Sequence, residues 1–143
     1  MRLSEIRRSS AIERARSAAY TQGMINVSDD RAHNAVIVEF KGDVHAAEAK
    51  RVLSELGKVL PEHEKGLKVL VDFTSVETID IEVEDEIKKA MRLFNAQGVS
   101  EILRVLPDPA MDIAFDIMSR ENYARDMKMR TFRTRADASR ALA

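Results

Sequence analysis

Residues 66–86 read GLKVLVDFTSVETIDIEVEDE. The first eight positions, Gly66 through Phe73, make a short and almost wholly apolar run. That is the pattern of a strand buried on both faces of a sheet. Next comes an acidic junction, in which Asp80, Glu82, Glu84, Asp85 and Glu86 crowd together. Beyond it, Val83, Ile87, Ala90, Met91 and Phe94 recur at helical spacing, and Gly98 suits a C-terminal stop. A buried strand that feeds an amphipathic helix is the repeating unit of an α/β layer.

The flanking sequence repeats that unit. Residues 24–28 alternate apolar and polar, 29–34 form a polar turn cluster, and 35–40 are rich in β-branched residues, so the three predict a hairpin. Gly42 is expected to break the second strand and Asp43 to cap the helix that follows. Val44, Ala47, Val52, Leu53, Leu56, Val59 and Leu60 share one face of that helix, and Pro61 stops it. Downstream, residues 102–106 predict a strand, and Asp108 with Pro109 starts a helix whose apolar residues are Ile113, Phe115, Ile117 and Met118. Residues 127–132 alternate as an edge strand, and Thr134 with Asp137 opens a last short helix. Met91, Met118, Met127 and Met129 read as core fillers. The order is ββαβαβαβα.

A further helix is expected over residues 2–19, with a thin apolar face of Leu3, Ile6, Ala11, Ala15 and Ala18. The expected organisation is a basic helical appendage over 1–22 and an α/β domain over 23–143. The appendage can lean on the domain or support a homodimer.

Composition narrows the function classes. The chain has 143 residues, 45% hydrophobic and 33% charged, enough to bury one core. It has no Cys, hence no disulfide framework, thiolate metal site or Cys nucleophile. No apolar run approaches the roughly 18–20 residues of a membrane helix, and a cytoplasmic location is expected. Net charge is −1; five Arg against two Glu give residues 1–20 a charge of +3, leaving −4 for the rest. The segment 120–140 is basic again, but no aromatic residues interleave with its arginines for stacking. Nucleic-acid binding is therefore not expected.

Three local patterns, together with the element order, resemble the STAS domain, the fold of bacterial anti-sigma factor antagonists. That family has a strand ending in Gly-Glu-Leu-Asp, and Gly42-Asp43-Val44-His45 stands there. A second pattern runs from an apolar strand with an Asp to Asp-Ser-Ser-Gly, and residues 70–83 follow its first part. The third is a Gly after the helix, then a strand, a short helix and an Ala-rich last helix, with Gly98, Val105, Phe115 and Ala138 in place. The resemblance covers about residues 24–142. It implies a STAS-like layer of mostly parallel sheet with an N-terminal hairpin and helices packed on it. It also implies a non-enzymatic switch, whose serine is phosphorylated by a kinase and whose partner is a kinase-like or anti-sigma-like protein.

The pattern departs at its decisive place. Asp-Ser-Ser-Gly becomes Asp80, Ile81, Glu82 and Val83, so Glu82 stands where the phosphorylated serine would be. A carboxylate forms no stable phosphoester. Several readings of the acidic junction stay open. Asp80 can cap the helix while Glu82, Glu84, Asp85 and Glu86 offset its macrodipole. Glu82 can imitate phosphoserine in part, with one charge against about −1.5 to −2. His45 can face Glu82 and sense pH. Paired carboxylates such as Glu82 with Glu86 suit a hard cation poorly without further oxygen ligands, so no metal and no cofactor is expected. No nucleophile motif or Gly-rich phosphate loop occurs, and no catalytic residue is expected. The favoured surface for a regulatory protein partner comprises Asp43, His45, Ser75, Thr78, Asp80, Glu82 and Asp85. The alternative is a small-molecule or lipid-binding STAS-like domain, with an apolar pocket beyond the strand ends.

Overall fold

Nine main elements follow one another in the expected order in the computed structural model, which describes residues 25–143. They are β1 (Ile25–Asp30), β2 (Ala35–Val44), α1 (Ala46–Val59), β3 (Lys68–Ile79), α2 (Val83–Ala96), β4 (Glu101–Val105), α3 (Ala110–Asn122), β5 (Lys128–Phe132) and α4 (Arg135–Leu142). The helix expected over 2–19, the appendage over 1–22 and the position of Met24 lie outside the described residues. A 3-10 turn, Arg31–His33, closes the hairpin, and Asn34 ends it in the left-handed region at φ 48°. Pro61 ends α1 as expected, by lying in a second 3-10 turn, Leu60–Glu62.

The strands lie in the order β1-β2-β3-β4-β5, with β1 antiparallel to β2 and the other neighbours parallel. Right-handed crossovers between sequential parallel strands put their helices on one face. α1, α2 and α3 do share that face. Val36, Val38, Val69, Phe73 and Ile102 meet Val52, Leu56, Met91, Phe94, Met111 and Phe115 there. Phe73 stacks on Phe40 with ring centroids 4.5 Å apart and tilts against Phe115 at 4.7 Å. At 1% exposure, burial of Phe73 contributes about 2 kcal/mol.

α4 follows β5 and covers the opposite face. Ala35, Leu70, Leu103 and Val105 pack there against Ala138 and Leu142. The period of two along each strand sorts neighbours between the cores. It also sends the buried Asp72 to the α4 face and the buried Arg104 to the three-helix face. Asp72 Oδ2 accepts from Arg135 Nη1 at 3.1 Å, and Asp72 Oδ1 accepts from the Thr74 amide at 2.8 Å. Arg104 donates to Thr131 Oγ1 at 2.7 Å, to Ser119 Oγ at 3.3 Å and to Asp116. Buried charges persist where such partners surround them.

Several local expectations are corrected. Gly42 does not end β2; the strand runs on to Val44, and Gly42 sits at φ 62° beside a slip in register between Gly42 and Asp43. Glycine there permits a bulge rather than a break. β3 likewise passes Phe73 and reaches Ile79, because its polar half still pairs with β2. Ala47 is exposed, and Ala49 takes the inward position on α1. On α3, Ile113 and Ile117 face outward at 58% and 46% exposure, while Met111, Ala114, Phe115 and Met118 face the sheet. Met91 and Met118 are core residues; Met129 is exposed on β5.

Candidate functional site

Because β2 and β3 are parallel, their carboxyl ends emerge side by side. Asp43 pairs in register with Thr78, and Val44 with Ile79. The Asp80 amide donates to the Val44 carbonyl at 3.0 Å, closing the ladder. In open α/β sheets ligands meet the protein beyond this end of the strands.

The side chains here fasten one strand to the other. Thr78 Oγ1 donates to Asp43 Oδ1 at 2.6 Å. His45 Nδ1 lies 2.8 Å from Asp80 Oδ2, with the His side chain half exposed. Asp43 was expected to cap α1 and Asp80 to cap α2; neither side chain does so. Asp43 still belongs to a strand, so its carboxylate turns sideways to the residue opposite. His45 occupies the cap position of α1 without a side-chain cap bond. His45 and Asp80 each follow the last paired residue of their strand, which stands them together. The partner of His45 is thus Asp80, not Glu82.

A tight turn then leads into α2. The Val83 amide donates to the Asp80 carbonyl at 3.0 Å, and the Glu84 amide to the Ile81 carbonyl at 3.2 Å. Glu82 is exposed, with helical dihedrals of φ −66° and ψ −19°, and its side chain makes no cap bond. Asp85 is exposed in the first turn, whereas Glu86 is buried at 6% exposure and accepts from Lys89 Nζ at 3.1 Å. The acidic junction therefore divides. Glu82 and Asp85 present charge to solvent near the positive end of the helix dipole, and Glu86 turns inward. Ser75 lies half-buried on β3, opposite Lys41. Asp43, His45, Ser75, Thr78, Asp80, Glu82 and Asp85 are thus carried by the ends of β2 and β3 and the starts of α1 and α2.

Among the described residues, no cluster of three or more His, Asp or Glu could hold a metal ion, and no helix is long and apolar enough to cross a membrane. A cavity of about 70 Å³ lies between the sheet and α1, α2 and α3 rather than beyond the strand ends. The cavity and its few polar residues, Glu86, Arg104, Ser119 and Tyr123, were not foreseen. One signal was available: Arg104 is a lone charge inside the apolar run 102–106.

At the level of sequence, no family model and no curated protein matches the chain. Solved structures do match in fold. An uncharacterised protein from Shewanella loihica PV-4 with a SpoIIAA-like fold superposes with a TM-score of 0.64 at 11% identity, over 84% of this chain and 93% of that one. The phosphorylated Bacillus cell fate determinant SpoIIAA gives 0.59 at 14% identity, over 84% and 100% of the two chains. An anti-sigma factor antagonist from Mycobacterium paratuberculosis gives 0.54 at 13%, over 83% and 92%. At 11–14% identity these are likenesses of fold. The chain carries a STAS-like α/β domain of the SpoIIAA-like fold.

Proposed function

We propose that this domain is a non-enzymatic regulatory module that binds a protein partner. The surface comprises Asp43, His45, Ser75, Thr78, Asp80, Glu82 and Asp85. Glu82 supplies fixed negative charge where the STAS pattern has its phosphorylated serine, so the domain is held in one binding state rather than cycled by a kinase. The observation that carries this reading is the exposed, uncapped Glu82 at the mouth of the β2 and β3 ends. A carboxylate serving the helix alone would be free to fold back onto its amides. Here it is exposed and caps none of them, two residues along the chain from Asp80, which pairs with His45. The matched anti-sigma factor antagonist acts, by its name, on a protein, and SpoIIAA was seen in a phosphorylated form. Both support a partner that reads charge at this place. His45 bonds to a carboxylate, with no hydroxyl bonded to it among the described residues, which supports contact rather than nucleophilic catalysis. The appendage over 1–22 is proposed to lean on the domain or to support a homodimer, and the reading is of a cytoplasmic protein.

The test is capture of proteins from the native cell on wild type, Glu82→Ala and Glu82→Ser. The proposal expects a partner held by wild type and lost or weakened in Glu82→Ala. Equal capture by all three would remove Glu82 from the surface.

A further inference from the structure

The cavity beneath α2 stands apart from the surface just described. Its walls are mainly hydrocarbon: Phe40, Phe73 and Phe115 from the stacked cluster, with Val52, Leu56 and Phe94 from the helices. At about 70 Å³ it holds several times the roughly 10–15 Å³ that one water needs. Protein interiors are close-packed and keep few voids larger than a water. Leu53, Ile87 and Ala90 line it and are each partly exposed, so the way in runs along the seam between α1 and α2.

Four polar residues, Glu86, Arg104, Ser119 and Tyr123, line it and define what fits. Arg104 is committed to Thr131, Ser119 and Asp116, and Glu86 to Lys89, so each charge is answered within the protein. An ionic guest would enter without a counter-charge, at a large desolvation cost. Tyr123 differs. Its ring lines the cavity, burial pushes its phenol well above the ordinary range with Arg104 partly opposing, and its hydroxyl has no hydrogen-bond partner among the described residues. No fully buried side-chain polar atom is left unpaired among the described residues, so that hydroxyl is not sealed in packed carbon.

We infer that this cavity is a binding site for a small, uncharged, mainly apolar molecule with one hydrogen-bonding oxygen, of the class of a substituted phenol or short alcohol. The hydrocarbon part lies on the phenylalanine cluster, and the oxygen pairs with the Tyr123 hydroxyl. Apolar pockets with few convergent polar groups bind this way.

The test titrates p-cresol, toluene and hexanoate into the full chain, following methyl and amide NMR shifts. Wild type is expected to bind p-cresol saturably, with shifts confined to the lining residues, and to bind hexanoate more weakly. Tyr123→Phe keeps the ring and should weaken p-cresol about fivefold, as loss of one hydrogen bond does, while leaving toluene within about twofold. Ala90→Leu, which fills the seam, should abolish binding of both. If Ala90→Leu does not fold, the Tyr123→Phe comparison decides. The inference is overturned if no probe saturates, if shifts fall outside the lining, or if Tyr123→Phe leaves p-cresol binding unchanged. None of these outcomes bears on partner capture through Glu82.

Discussion

Replacing Arg135 with Met is expected to loosen α4 from the sheet. Asp72 is 3% exposed, and its Oδ2 relies on Arg135 at 3.1 Å; Glu39 shares the same guanidinium at 3.6 Å. Met keeps the stem of the side chain and its packing but removes the charge. Breaking a fully buried pair by deleting one partner costs about 3–5 kcal/mol, whereas exposed pairs contribute about 0.2–1 kcal/mol. Arg135 is a third exposed, and Asp72 keeps its bonds from Thr74. The expected loss is therefore about 2 kcal/mol, intermediate between the two limits. For a domain of this size it lowers Tm by roughly 6–10 °C. Urea unfolding of wild type, Arg135→Met, Asp72→Asn and the double variant completes a cycle. The two losses should be coupled by about 1 kcal/mol or more. A loss below about 0.5 kcal/mol for Arg135→Met, or strict additivity in the cycle, would refute the contact as the fastening of α4.

Three further outcomes follow from local geometry. Thr78→Val removes the donor to Asp43 while keeping side-chain shape, and should cost about 1 kcal/mol in urea unfolding, with backbone NMR shifts limited to the ends of β2 and β3. Gly98 sits at φ 75° where α2 stops; Gly98→Ala should destabilise by about 1 kcal/mol, through backbone strain rather than a clash, since the added carbon would meet Lys65 Cγ at an ordinary 3.6 Å. Arg133 holds Asp112 with two bonds of 2.9 Å, and these hydrogen bonds put the Asp112 carboxyl below its ordinary range. A lowered folded-state pKa means the pair stabilises fully above the unfolded value of about 4 and less as pH falls through the folded one. Asp112→Asn should therefore flatten the fall in stability below about pH 4, measured by urea unfolding across that range, and leave the slope between pH 6 and 8 unchanged.

The order of elements was legible because each rests on local physics. The apolar run at 66–73, Pro61 after α1, Gly98 after α2 and the Thr134 cap are signals carried by a few adjacent residues. Thr134 does accept from the Asp137 amide, at 3.2 Å. What depends on strands far apart in sequence was not legible. The extension of β3 to Ile79 needs β2 beside it, since residues 74–79 are not apolar enough to announce a strand alone. The pairing of His45 with Asp80 depends on register across 35 positions, and one slip of a bulge would have offered another partner. The outward turn of Ile113 and Ile117 shows the same limit. Apolar residues on a helix mark a face only once its neighbours fix which side meets the sheet. Asp72 and Arg104 are charges inside apolar runs, a signal the sequence carries, but nothing in the sequence names their partners.

The central claim is that a protein partner reads the surface between the starts of α1 and α2. Hydrogen exchange on the captured complex, compared with the free chain, tests it most directly. Protection is predicted over residues 43–45 and 75–86, reduced when Glu82 becomes Ala. Protection confined to the exposed face of α3 or to β5, with residues 75–86 exchanging as in the free chain, would contradict it.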